Sequence, residues 1–324
     1  MHKSPPTAAP VSASAAPPAF PWVRLVLHPA HSLPTTAAAV GLGSALALHD
    51  GVFSLPRALL AFLASWFIHV AGLFWENYWL LTRHASLREH PELADAVASG
   101  ALSLAALRRV TITWLVLGVV TGALLLPAAG VMTPVFGAIG IIAAAGFCAG
   151  PVSCMRLGIG EFVFLTMFGV VMVVGAYYVQ AAPILGYPGS GEIVGAALPF
   201  HAFVIGLPLG AIINNVMLVD DLSDIVVDRA KGWRTRPVCW GVGPARLEYV
   251  GWLLLAYALL VWFWLGLGFS AWILLPFTTL PLAAAAVRQL YATAPADVEP
   301  LSPRTAALGL LFSALLSAGI VLSR

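Results

Sequence analysis

Residues 207–229 read LPLGAIINNVMLVDDLSDIVVDR. A mostly apolar run gives way abruptly to Asp220, Asp221, Asp224 and Asp228, which are four of the chain's 14 acidic residues within nine positions. The run is part of an apolar segment near 195–219, long enough to cross a bilayer, since a spanning helix takes roughly 20 apolar residues. Its polar end falls where such a helix would reach water.

Eight further segments have the same character, near 32–49, 57–81, 109–128, 132–150, 160–182, 247–268, 270–292 and 305–322. The whole chain is 60% hydrophobic and 9% charged, against about 25% charged in soluble domains. So few charges cannot cover a water-facing surface, and lipid is the implied solvent. Open sheets cannot span lipid, and uninterrupted apolar runs are not the alternation of a barrel. The expectation is an all-α polytopic membrane protein of nine helices.

The basic residues set an orientation. With the N-terminus inside, 14 of the 16 Lys and Arg fall on the cytoplasmic side, leaving only Arg57 and Arg324 outside, as the positive-inside rule expects. The sequence therefore predicts an inner-membrane, multi-pass protein with its N-terminus and Asp-rich loop in the cytoplasm. The bases sit in short loops, which gives no surface for nucleic acid. Residues 1–20 are rich in Ala, Pro and Ser, with prolines at 5, 6, 10, 17 and 18. They read as a disordered cytoplasmic tail and not as a signal peptide, and the membrane domain occupies 21–324. Cys148, Cys154 and Cys239 lack metal-site spacing and read as small apolar residues.

The chain shows a coarse duplication. Helices 2 and 6 each end in a polar cluster followed by a long basic loop, 83–108 and 220–246. Two halves of four helices, plus a ninth, would curve around a shared cavity. On an unbroken helix Asp220, Asp224 and Asp228 project from one face within about 80°, and Asp221 lies within about 60° of Asp224. Like charges at that spacing repel, so a compensating cation is expected. Carboxylates suit hard cations, and Mg²⁺ is usually held by one or two of them plus substrate phosphates. Arg229, Lys231 and Arg234 follow at once, and Arg156 could approach from a third direction. Acids for a metal beside bases for phosphate make a diphosphate site. For Arg156 the competing reading is a membrane anchor.

The helix 2 cluster runs Trp75-Glu76-Asn77-Tyr78-Trp79-Leu80-Leu81-Thr82-Arg83-His84. A carboxylate within a span is a functional candidate. Glu76 and Asn77 could contribute to one metal and are assigned to catalysis, Glu76 also to metal binding, and Arg83 to substrate; the competing reading of Glu76 is a protonated acid hydrogen-bonded to a neighbouring helix. His69 reads as a core histidine and His84 as a loop residue. Glu161 opens a helix, where the dipole favours an acid. Tyr177 and Tyr178 read as an aromatic belt.

Several of these stretches resemble the UbiA superfamily of intramembrane prenyltransferases, and within it the branch that prenylates 1,4-dihydroxy-2-naphthoate in menaquinone synthesis. That branch shows GGP, GxGE, VFLxxG and GxYYVQ. This chain has Gly150-Pro151, Gly158-Ile159-Gly160-Glu161, Val163-Phe164-Leu165 with Gly169, and Gly175-Ala176-Tyr177-Tyr178-Val179-Gln180. His28-Pro29 and Leu33-Pro34 are similar to the family's entry to helix 1. The branch's second motif, NNxRDxxxDRxxGKRT, falls on Asp220 to Thr235 with Asp224 and Asp228 kept, the paired Asn changed to Asp, and Ser223 in place of Arg. The first motif, NDxxDxxxD, falls on Glu76, Asn77, Leu80 and His84.

The resemblance implies Mg²⁺-dependent transfer of a polyprenyl group from its diphosphate to an aromatic acceptor. In that scheme Asp220, Asp221, Asp224, Asp228 and Glu76 hold metal, with Asp224 and Asp228 also catalytic. Arg229, Lys231, Arg234, Arg156 and Arg83 hold the substrate. Three alternatives stand beside it. A terpene cyclase of the superfamily would need no acceptor. A catalytically inactive relative would bind lipid or a partner. A transporter would show helices broken at the bilayer midplane.

Overall fold

A computed structural model describes residues 33–84, 91–150, 152–186 and 195–324. The tail expected over 1–20, His28-Pro29 and Pro151 lie outside the described residues. Among the described residues the longer helical segments are, in order, α1 Leu33–His49, α2 Leu55–Arg83, α3 Leu104–Ala123, α4 Met132–Gly146, α5 Gly160–Ile184, α6 Phe200–Ser223, α7 Val242–Gly266, α8 Ala271–Ala292 and α9 Leu301–Leu322, with shorter helices in the connections between them. The described residues contain no strand. Seven of the segments are long and apolar enough to cross a membrane. The other two, α1 with 17 residues and α4 with 15, are shorter than the usual span. The expected count of nine spans is therefore not established, although the chain is a multi-span membrane protein.

Local chemistry sets the ends. Ser103 accepts a hydrogen bond from the Ala106 N–H and starts α3 five residues before the apolar run. Arg108 and Arg109 are thereby inside the helix. Gly241, at φ +87°, precedes α7, and Pro244 fits its first turn. At 29 residues α2 is about 43 Å long, against roughly 30 Å of hydrocarbon. Its overhang lets the segment after Phe74 carry polar groups.

Helix α2 packs most extensively on α3 and also on α4. Helix α6 packs on α7, α9 and α5, and α1 packs on α9 and α5. First and last helices thus meet, and Ser313 of α9 donates to the Ala38 carbonyl of α1 at 2.9 Å. Helices α5 and α6 approach closely through glycine. A Cβ on Gly210 would stand 2.8 Å from Gly169 Cα and from the Leu165 carbonyl oxygen. The same stretch of α5, Met167–Val171, is wound as a π-helix, a form common at functional sites.

Tyr177 and Tyr178 are buried, not arrayed as a belt. The Tyr178 hydroxyl donates to the Ala129 carbonyl at 2.8 Å and that of Tyr177 to Asp50 Oδ2 at 2.7 Å. A buried phenol needs a partner for its hydroxyl, and both find one in neighbouring loops. Asp50 also meets His201 Nε2 at 2.9 Å. This group joins the α1–α2 loop, α5 and α6 at the end of the bundle opposite the Asp-rich segment. Burial opposes ionisation of Asp50, but hydrogen bonds from His201 and Tyr177, with the nearby His201 and His49 charges, hold its carboxyl below the usual range.

Candidate functional site

Helix α6 ends at Ser223, and Asp224 leaves helical geometry at φ −102°, ψ 13° before a short helix Ile225–Lys231. The expected single face of Asp220, Asp224 and Asp228 is therefore broken. The break resets the helical phase, and it falls where carboxylates spaced i, i+4 repel. Asp221 and Asp228 turn inward and are buried, Asp224 is half-buried and Asp220 is exposed. Asp221 lies within electrostatic range of Asp228, Glu161, Asp220 and Asp224, and its Oδ2 has no hydrogen-bond partner. Asp220 is within range of Asp224, Glu299 and Glu76. The two polar clusters, one from α2 and one from α6, thus meet electrostatically, as the duplication in the sequence suggests.

The bases divide in the same way. Lys231 is buried, with Nζ 3.2 Å from Asp228 Oδ1 and side-chain exposures of 0% and 3%. Its ammonium also sits 3.6 Å from the centre of the Trp233 ring, a cation–π contact. Arg229, Arg234 and Arg83 are exposed. Arg156 is half-buried beside the turn at Gly232, whose φ of +75° caps the short helix.

Two hydrogen bonds dock the α4–α5 connection onto this loop. The Arg234 N–H donates to the Met155 carbonyl at 2.8 Å, and the Arg236 N–H to Glu161 Oε1 at 3.0 Å. Gly158, at φ +73°, lies under the Arg234 carbonyl, which a Cβ there would approach to 3.2 Å. Glu161 therefore does more than complement a helix dipole, because it fixes where the basic loop runs. The Arg236 side chain lies between Glu161 and Glu248, 3.7 Å from each.

On the α2 side Glu76 accepts a hydrogen bond from the Cys148 thiol at 2.8 Å. Asn77 is buried and gives its amide to the Leu73 carbonyl at 3.0 Å. His69 Nδ1 bonds Thr36 Oγ1 at 2.8 Å, a satisfied histidine. Leu80 belongs to an apolar cluster with Cys148, Met155, Met217 and Trp233. The sequence pattern gave Cys148 and Trp233 no role. A cysteine in an apolar run and a tryptophan in a basic loop carry no signal until the chain is folded.

A cavity of about 470 Å³ runs among α2, α3, α4 and α5, within the range of small-ligand sites. Its wall is almost wholly apolar, with Glu76, His69 and Cys148 among the few polar groups. The second cluster's aspartates do not line it. The apolar cluster around Leu80 shares Cys148, Phe147 and Phe164 with the cavity wall and includes Trp233 of the basic loop.

The chain covers most of several known proteins. It is 26% identical over 300 residues to the 1,4-dihydroxy-2-naphthoate octaprenyltransferase of Escherichia coli (strain K12), spanning 90% of this chain and 93% of that one. A UbiA homolog from Aeropyrum pernix K1 superposes with a TM-score of 0.60 at 18% identity, covering 89% of this chain and 97% of the other. The chain has the fold of the UbiA superfamily. A second UbiA-fold neighbour, solved as a digeranylgeranylglyceryl phosphate synthase, superposes with a TM-score of 0.53 at 12% identity over 93% of this chain and 96% of that one. No protein-family sequence model matches the chain.

The resemblance to UbiA-type prenyltransferases implies Mg²⁺. Among the described residues no three His, Cys, Asp or Glu side chains converge as a self-sufficient metal site. The donor set nevertheless fits an ion shared with a ligand's phosphates, the usual Mg²⁺ arrangement. Asp220 and Asp224 are near neighbours, and the buried Asp221 Oδ2 lacks a partner.

Proposed function

We propose that this protein transfers a polyprenyl group from its diphosphate to an aromatic acceptor, with 1,4-dihydroxy-2-naphthoate as the first candidate. The observation that carries it is the junction of an apolar cavity bearing one carboxylate with a cluster of acids and bases beyond its end. The cavity suits an isoprenoid tail and a ring. The cluster suits a diphosphate.

Asp220 and Asp224 would hold Mg²⁺, which when bound supplies positive charge to the diphosphate oxygens. Arg156, Arg229 and Arg234 offer guanidinium groups to the same oxygens. Charge placed where it develops in the transition state lowers the barrier. As the allylic carbon–oxygen bond breaks, the bonding pair leaves with diphosphate, a ring carbon forms the new carbon–carbon bond, and that carbon then loses its hydrogen as a proton or its carboxylate as CO2, which restores the aromatic ring. Glu76 on the cavity wall would take a proton from an acceptor hydroxyl, which makes the ring a better nucleophile. The apolar walls keep water from the developing allylic cation. On this reading the basic loop faces the cytoplasm and the protein resides in a bacterial inner membrane, as the 14 basic residues on one side suggest.

The test is diphosphate release by purified protein given geranylgeranyl diphosphate and Mg²⁺, with and without the naphthoate. Release that requires the naphthoate supports the transferase. Release without any acceptor supports the cyclase. Binding without release, across acceptors and prenyl lengths, supports an inactive relative.

A further inference from the structure

We infer that Lys231 is a built-in counter-cation, and that this site takes its diphosphate with a single divalent ion. The inference rests on the diphosphate reading above and specifies how that site is charged.

Two independent features lead to it. The first lies in the Asp-rich segment. Lys231 Nζ is 3.2 Å from Asp228 Oδ1, with neither side chain open to solvent. The ammonium is further held against Trp233 at 3.6 Å, and the apolar cluster of Leu80, Met155, Met217 and Trp233 closes that side. A lysine on a surface could swing toward an arriving phosphate. One enclosed by apolar walls and paired with a carboxylate does not, because leaving would strand the buried Asp228 without its counter-charge. Its charge therefore balances Asp228 and occupies the place a second metal would need there.

The second feature lies on α2. Asn77 spends its amide on the Leu73 carbonyl, and the position one turn before His84 is Leu80, buried in the apolar cluster. Glu76 is the one carboxylate between Leu55 and Arg83, and a thiol occupies its Oε1. One carboxylate is a poor basis for a separate Mg²⁺ site on this helix. What remains is the neighbouring pair Asp220 and Asp224, next in sequence to Asp221 with its buried, partnerless Oδ2; two carboxylates with phosphate oxygens suffice for one ion.

The experiment counts ions. Full-length protein in lipid nanodiscs is titrated with Mn²⁺ in the presence of saturating geranylgeranyl S-thiolodiphosphate, and bound Mn²⁺ is read by electron paramagnetic resonance. The expected result is one Mn²⁺ per chain in the native protein and two in Lys231→Ala, where Asp228 is released. Lys231→Arg, which keeps the charge, should stay at one. Two ions in the native protein, or one in folded Lys231→Ala, would overturn the inference while leaving the diphosphate reading intact. If Lys231→Ala does not fold, the native count decides alone. Failure of the native protein to bind the thiolodiphosphate at any Mn²⁺ concentration removes the diphosphate reading itself.

Discussion

The Cys148 thiol donates to Glu76 Oε1 across 2.8 Å, joining the segment after α4 to α2 on the wall of the apolar cavity. If Glu76 takes a proton from the acceptor, Glu76→Gln should lower kcat by about 10²- to 10⁴-fold, the usual contribution of a general base. Affinity for prenyl diphosphate should hardly change. Steady-state kinetics alongside a separate binding titration check both. A matching loss of diphosphate affinity would move Glu76 to the metal instead.

Asp224→Asn should weaken Mg²⁺-dependent binding of prenyl diphosphate by tenfold or more, about 1.4 kcal/mol. Isothermal titration with and without Mg²⁺ reads it. Unchanged affinity would exclude Asp224 from the ion. Asp228→Asn should act differently, because it strands the buried Lys231. Its main signature should be a stability loss of about 3–5 kcal/mol, seen in thermal or denaturant unfolding.

Leu80→Asp places a carboxylate in the cluster of Cys148, Met155, Met217 and Trp233. An unpaired buried charge is costly, so the variant should melt lower than the native protein in metal-free buffer. Added Mn²⁺ and prenyl diphosphate should recover much of that loss, with a rise in ion affinity. A melting temperature indifferent to metal would show that position 80 does not face the ion.

Orientation can be tested on the same loop. Thr235 is buried and Arg234 exposed, so a reporter cysteine belongs at Arg234, in a chain whose exposed Cys239 is changed to serine. Arg234→Cys should react only with reagents that enter the cell. Labelling of intact cells by an impermeant maleimide would reverse the orientation.

The Asp50 group at the other end predicts a pH dependence. Its carboxyl is held below the ordinary 3.8. A depressed acid contributes its full stabilisation above the unfolded value and loses it as pH falls through the folded one. The link to Tyr177 and His201 should therefore be intact at neutral pH and fail only below about 3.8. Asp50→Asn should flatten that acid limb of the unfolding profile.

Most of the architecture was legible because long apolar runs admit few structures in lipid. Runs 160–182 and 270–292 became Gly160–Ile184 and Ala271–Ala292 almost unchanged. The ends that moved were decided by single groups, such as the Ser103 cap that started α3 early. Within the site, sequence spacing grouped Asp220 with Asp224 and Asp228, whereas folding buries Asp221 beside Asp228. Spacing assumes an unbroken helix, and Asp224 breaks it. Lys231 read as a ligand for phosphate because a basic loop looks solvated. Only the fold shows that it is enclosed against Trp233.

The bond from Ser313 to the Ala38 carbonyl spans 275 residues of sequence. During synthesis the first helix enters the bilayer while α9, one of the surfaces it will rest against, is still untranslated. At the ordinary pace of about 5–20 residues per second, that interval lasts tens of seconds or less. Over that time the side of α1 that α9 will cover, with the Ala38 carbonyl that Ser313 will reach, is exposed to lipid or to whatever insertion machinery shelters it. Truncation before α9 would leave that side of α1 uncovered permanently, which makes the 22 residues of α9 the latch between the two ends of the bundle.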